Sequence, residues 1–249
     1  MDLKVINCER KDLENMSVLK YNKSDKQPKI WTKNNLFLKH DISDIASRYK
    51  EEFEFFSEFK DLENCIFPEY IWTLDNKKYG YVTTYYKEYV SLLHRIEKAN
   101  FSLEAKKVMI FKIIELVNIL HKYGIVHGDL HPYNIIYNKF NIKFVDFDNV
   151  RFDHIESKSV YNMRLKEEIN NLNITLLSIL FEKFLSHIKY EDYIYIVEKL
   201  DICDEFKKYL ISASNYEENS INEDLSLYIN SIKNKDIFQG KNIIKSLKL

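Results

Sequence analysis

Three polar residues set among short apolar runs carry the chemistry of this chain: Asp129, Asn134 five positions on, and Asp146 twelve positions beyond that. Two carboxylates and an amide are oxygen groups of the kind that take up a proton or hold a hard cation. They lie in His127-Gly128-Asp129-Leu130-His131-Pro132-Tyr133-Asn134 and in Val145-Asp146-Phe147-Asp148. The runs Gly124-Ile125-Val126, Ile135-Ile136-Tyr137 and Ile142-Lys143-Phe144-Val145 read as short strands, with Asn138 to Asn141 as a tight turn. On that reading the three groups come off adjacent strand ends, where they can converge on one point from a rigid base.

A helix over Ser102 to Tyr123 must deliver the first of these strands. Ser102 is placed to cap it, Glu104 lies in its first turn and Gly124 stands just past its end. From Val108 to Leu120 it is apolar almost all round, which predicts burial on every side. Upstream, Ser17 to Tyr21 reads as a strand and Ser24 to Pro28 as a turn. Ile30-Trp31-Thr32 and Leu36 to Lys39 form a hairpin across Lys33-Asn34-Asn35. Asp44 to Phe59 has apolar residues at Ile45, Phe53, Phe56 and Phe59, a helical spacing. Tyr70 to Leu74, the turn Asp75 to Lys78 and Tyr79 to Tyr86 read as a second hairpin. Beyond the polar motifs, Ile194 to Leu200 and Phe206 to Ile211 read as amphipathic helices. The acidic residues from Glu191 through Asp224 face either solvent or a cationic substrate, and Lys241 to Leu249 is a short helix or a frayed tail.

The motifs H-G-D-L-H-P-Y-N and D-F-D resemble the catalytic loop H-R-D-L-x-x-x-N and the metal-binding D-F-G of the protein-kinase-like superfamily. The H-G-D form is closer to aminoglycoside, choline and sugar kinases and to atypical bacterial kinases than to regulated protein kinases. The order strand, strand, helix, strand, strand upstream is that of a kinase N-lobe. The resemblance implies an α+β, two-lobed protein-kinase-like fold. Its small antiparallel-sheet N-lobe would span 1–86 and its mainly helical C-lobe 87–249. It further implies ATP and Mg²⁺ as cofactors and transfer of the γ-phosphoryl group to a hydroxyl acceptor.

Within the resemblance, Asp129 accepts or orients the acceptor's proton, while Asn134 and Asp146 hold the metal. Lys39 falls where a strand lysine holds the α- and β-phosphates; taken alone it would read as a snorkelling surface lysine. Glu52 best fits its helix partner, with Glu51 and Glu54 as alternatives. Thr84 takes the gatekeeper position, and the backbone of Tyr85, Tyr86 and Lys87 meets the adenine edge, unless this is an ordinary edge strand. His127 braces the loop. His131 is a loop histidine or an auxiliary phosphate contact, and the role of Asp148, which replaces the family's glycine, is open.

Departures from the pattern are as informative. With only Gly80, Gly124, Gly128 and Gly240 there is no G-x-G-x-x-G loop, so a non-glycine turn within Tyr21 to Lys29 covers the phosphates or nucleotide binding is impaired. Gly128 replaces the arginine that receives an activation-loop phosphate, so activation by such phosphorylation is not expected. No A-P-E motif precedes Glu168 to Asn173, which resembles the start of the family's next long helix with Glu168 in the usual Asp position. That tilts the acceptor slightly toward a small molecule over a protein Ser/Thr.

The formal charge of -1 gives no bulk reason for nucleic-acid or membrane-surface partners. No targeting run or membrane-spanning stretch is visible, and three widely spaced cysteines suit a reducing compartment, so a cytoplasmic enzyme is expected. The competing reading is a pseudokinase-like binding or scaffolding module without catalysis.

Overall fold

A computed structural model describes residues 4–21, 28–40, 44–98, 101–139 and 141–247. The expected turn at Ser24 to Pro28, and with it the phosphate-covering turn, falls largely outside them. So does Phe140 in the expected turn after Asn138. The chain divides into two compact units, Met1–Tyr89 with Lys143–Asn149, and Val90–Ile142 with Val150–Leu249.

The first unit is built on a sheet. β1 (Lys4–Cys8) and helix α1 (Arg10–Glu14) precede β2 (Ser17–Tyr21), β3 (Pro28–Lys33) and β4 (Leu36–His40). Helices α2 (Ile45–Arg48) and α3 (Lys50–Phe56) lead to β5 (Tyr70–Leu74) and β6 (Lys77–Thr84). The strand order is β1-β5-β6-β4-β3-β2, antiparallel except for the parallel β1–β5 pair. Both expected hairpins form. Asp75 and Asn76 close the second with φ of 51° and 62°, the left-handed conformation that short polar side chains tolerate and that two-residue hairpins require.

One face of this sheet buries Cys8, Trp31, Leu38, Trp72 and Val82, with Leu13 and Met16 packed against them. Trp31 and Trp72 meet edge to face at 5.4 Å. β1 thus extends the sheet and α1 packs Leu13 on its core, and the sequence announces neither. The single helix expected over Asp44 to Phe59 is broken at Tyr49 (φ -118°, ψ 28°) and ends at Phe56, and α3 buries Phe53 and Phe56. Phe53 packs on Phe67, and Phe67 on Phe147 at 4.5 Å. Backbone bonds from Phe144 N to Asn64 O and from Ile66 N to Phe144 O, both 2.8 Å, tie the Lys143–Asn149 segment to the same unit.

The second unit is mainly helical. β7 (Val90–Ser91) and α4 (Leu92–Lys98) precede α5 (Leu103–Lys122), whose first turn is capped by Ser102 Oγ accepting from Ala105 N at 3.2 Å. α5 is not buried on every side: Glu104, Val108, Glu115 and Asn118 form an exposed stripe, so Val108 is apolar but outward. β8 (Ile125–Val126) and β9 (Ile135–Asn138) follow, and β10 (Asn141–Phe144) carries the chain from one unit to the other. β7 pairs with β9, and β8 with β11 (Arg151–Phe152). At Gly124 (φ 67°) a Cβ would come within 2.3 Å of the Asp153 carboxyl, so the turn into β8 needs glycine twice over.

Helix α6 (Lys158–Phe181) begins ten residues before Glu168, which therefore sits mid-helix rather than at a helix start. The last four helices are α7 (Tyr190–Lys199), α8 (Asp204–Ser214), α9 (Leu225–Ser231) and α10 (Asn234–Ser246). α7 and α8 extend the two amphipathic stretches read from the sequence; α9 and the first half of α10 were not anticipated. Among the described residues no helix is long and apolar enough to cross a membrane.

Candidate active site

In the helical unit, α5 and β8 deliver the loop from His127 to Asn134, and the helix beneath fixes its shape. Gly128 (φ 78°) donates its N–H to Glu168 Oε2 at 2.8 Å, and Glu168 Oε1 meets His121 Nε2 at 2.9 Å. The Glu168 side chain is wholly buried, so both of its oxygens are committed to holding the loop. His127, also fully buried, accepts from Asp129 N at Nδ1 (3.3 Å), in keeping with a bracing role. On the far side, Pro132 O accepts from Leu93 N at 3.1 Å and from Ser91 Oγ at 3.2 Å.

Asp129 and Asn134 are brought together on this frame. Asn134 Nδ2 donates to Asp129 O at 2.9 Å and to Asp129 Oδ2 at 3.1 Å. That orientation leaves Asn134 Oδ1 as an acceptor with no hydrogen bond among the described residues. His131 Nδ1 accepts from Tyr133 N at 3.2 Å, which puts the ring proton of the neutral imidazole on Nε2, 3.3 Å from Asp129 Oδ1. The His131 hydrogen bond is the main reason the Asp129 carboxyl lies below its ordinary pKa. Burial works against it, and the two nearby histidines and the Asn134 hydrogen bond work with it.

In the sheet unit, Lys39 on β4 is buried and its Nζ donates to Asp146 Oδ1 and Asp148 Oδ2. Asp148 Oδ1 accepts from Tyr81 OH at 2.6 Å, and Lys39 Nζ lies 5.8 Å from the Tyr81 ring centre. Asp146 itself adopts φ 68°, a left-handed turn that starts the short 3-10 segment Phe147–Asn149. Burial disfavours the Lys39 ammonium, but the two carboxylates more than offset it and its pKa ends above the ordinary lysine value. Asp148 is shifted the other way for a carboxylate. Burial and the Asp146 charge raise its pKa, with Lys39 and Tyr81 only partly opposing. One ammonium between two carboxylates favours its own charge and leaves one anion in excess.

The carboxylates that meet Lys39 are thus Asp146, read from the sequence as a metal ligand, and Asp148, whose role was open. Glu52, expected as the partner, is half-buried on α3, one residue before the buried Phe53. Thr84 needs correction. The β4–β6 register sets Lys39 opposite Tyr81 and Phe37 opposite Thr83, so Thr84 lies on the other face, with Leu36. Its N–H and Oγ1 both go to Glu69 Oε1, at 2.8 and 2.6 Å. Thr83 is the threonine on the Lys39 face. Tyr85 N donates to Asn35 O at 2.6 Å and Tyr86 O accepts from Tyr89 N at 2.9 Å; among the described residues no hydrogen bond takes the N–H of Tyr86 or of Lys87. Tyr81 was missed because its place opposite Lys39 depends on a strand pairing remote in sequence.

The structure therefore assembles two sets, Asp129 with Asn134 in one unit and Lys39 with Asp146 and Asp148 in the other. Comparison with known proteins bears on both. Ribosomal protein S6 kinase alpha-3 from Mus musculus and that from Homo sapiens are each 37% identical to this chain over 79 residues. The match covers 29% of this chain and 11% of the relatives' length, so the chain corresponds to a small part of either. Residues 4–168 match the family described as the protein kinase domain. That span runs from β1 to Glu168, the carboxylate that closes the loop under Asp129, and takes in every residue of both sets; the chain belongs to the protein kinase domain family.

Proposed function

We propose that this chain is an ATP- and Mg²⁺-dependent phosphotransferase that moves the γ-phosphoryl group to a hydroxyl acceptor. The observation that carries the reading is Lys39: a buried strand lysine held against Asp146, a residue 107 positions away. An ammonium so placed suits the α- and β-phosphates, and residues 1–86 and 87–249 act as the nucleotide-covering and catalytic lobes. The backbone donors of Tyr86 and Lys87 suit an adenine edge.

Asn134 Oδ1 in the helical unit and a carboxylate oxygen of Asp146 in the sheet unit are each donors of the type that Mg²⁺ takes beside phosphate and water oxygens. When bound, the ion neutralises charge on the transferring group. Asp129, kept ionised by His131 and oriented by Asn134, accepts the acceptor's hydroxyl proton at its half-exposed carboxylate. Phosphoryl transfer of this kind rests on positioning and charge, and asks little covalent work of the protein.

The acceptor is read as a small molecule in preference to a protein Ser/Thr, in the manner of aminoglycoside, choline or atypical bacterial-type kinases. Only Asn149 to Ser157 separates the metal-binding motif from α6, and β11 and a turn occupy most of it, which leaves little chain for seating a peptide. Cys8, Cys65 and Cys203 are all free thiols, in keeping with a cytoplasmic enzyme. A non-catalytic nucleotide-binding module is the second reading, favoured by the missing glycine-rich loop. Calorimetry with ATP, with and without Mg²⁺, tests the proposal: saturable Mg²⁺-dependent binding is expected, and no binding at millimolar nucleotide overturns it. A phosphate-acceptor screen across amino-sugars, choline-like alcohols and proteins then separates enzyme from binding module.

A further inference from the structure

We propose that Asp148 is the positioning residue for Lys39, itself fixed by Tyr81, so that the residue standing in the family's glycine position steers the phosphate-binding ammonium. The inference rests on the phosphotransferase reading and adds a division of labour between two neighbouring carboxylates. Asp146 engages Lys39 through Oδ1 alone, leaving Oδ2 for a cation. Asp148 has both oxygens engaged, Oδ2 by Lys39 and Oδ1 by Tyr81 OH at 2.6 Å. Its side chain is also the less exposed of the two, 27% against 36%. A carboxylate with both oxygens committed to protein donors is suited to orienting a neighbour and poorly suited to coordinating an ion.

Tyr81 is the right base for such a clamp. It lies directly opposite Lys39 in the β4–β6 register, on the same face of the sheet, so the strands that carry the lysine also carry its brace. An ammonium has three donors. With one on Asp148, Lys39 keeps a fixed direction while the remainder turn to phosphate as Asp146 turns to its cation. Sheet and loop alone supply this brace, without any movement of α3.

Nucleotide-binding calorimetry with Mg-ATP on the full chain tests the assignment. Asp148→Asn is expected to weaken ATP binding about tenfold and Tyr81→Phe about threefold. The double variant should be no weaker than Asp148→Asn alone, because Tyr81 acts through Asp148. In a Lys39→Ala background, Asp148→Asn should change ATP affinity by less than about twofold, and the Mg²⁺ concentration for half-maximal binding should not rise in Asp148→Asn. Additive effects of Tyr81→Phe and Asp148→Asn, or a raised Mg²⁺ requirement, would overturn the proposal and make Asp148 a metal ligand or an independent contact. If Lys39→Ala binds too weakly to measure, the Tyr81–Asp148 pair decides alone. Wild-type protein that fails to bind ATP sinks the phosphotransferase reading together with this one. Wild-type binding matched by Asp148→Asn sinks this one only.

Discussion

Asp129 in the helical unit and Asp148 in the sheet unit are both partly withdrawn from water, yet their affinities for a proton move in opposite directions. Burial acts on both in the same sense. At Asp129 it is outweighed by the His131 hydrogen bond and the Asn134 amide, and the pKa falls. At Asp148 it is reinforced by the Asp146 charge, and Lys39 and Tyr81 only partly offset the two. The difference lies in neighbours rather than depth: the loop surrounds one carboxylate with donors, whereas the sheet unit sets two carboxylates on one ammonium. The first arrangement keeps its carboxylate ionised. The second leaves one carboxylate charge in excess of the ammonium.

The sharpest way to break the comparison is at Asp129. If its ionised carboxylate handles the acceptor proton, Asp129→Ala lowers turnover by about 10³-fold while ATP affinity stays within about twofold. Steady-state kinetics beside calorimetry checks this, and unchanged turnover would remove Asp129 from the mechanism. Next in size is the support beneath it. Glu168→Ala leaves the Gly128 N–H and the His121 ring without their buried acceptor, and about 3 kcal/mol of stability should be lost. Glu168→Gln, which keeps an acceptor oxygen, should lose less than Glu168→Ala. Urea unfolding of the two variants measures the gap, and equal stabilities would show that the carboxylate does not hold the loop.

How far these features were legible in the sequence follows from how local their causes are. The Asp129 loop, Ser102 as a cap and the Asp75-Asn76 hairpin depend on residues a few positions apart, and the sequence reading found each. β1 and α1 were missed because five-residue elements carry little periodicity, and β1 is specified by its pairing with β5, far along the chain. The start of α6 was missed although Tyr161, Leu165 and Ile169 recur at four-residue spacing; Ser157 was a further signal, its Oγ accepting from Val160 N at 3.4 Å. Thr84 was placed one residue out of register, and in a strand one residue is the whole difference between two faces. The tie from Asp148 to Lys39 spans 109 positions, and only the β4–β6 pairing reveals why Tyr81 joins it.

The smallest expected effect gives the most direct test of the contrast, because its two halves differ in sign. A carboxyl with a depressed pKa, such as Asp129, contributes stability that is present above the unfolded value of about 3.9 and is lost as pH falls through the folded value. Asp148 is raised, so the folded state holds its proton more tightly, and wild-type stability gains from this group as pH falls from its folded pKa toward about 3.9. Thermal unfolding followed from pH 7 down to about pH 2 should therefore show the wild type gaining on Asp148→Asn down to about pH 4. The wild-type advantage over Asp129→Asn should instead persist until the most acidic samples and then shrink. His131→Ala removes the main cause of the Asp129 depression, so the acid limb of the pH–turnover profile should move to higher pH in that variant. An acid limb that stays in place would mean that Asn134 and the loop backbone, not His131, hold the base ionised. Parallel pH trends for the two aspartate variants would show that burial governs both sites and that their neighbours do not set them apart.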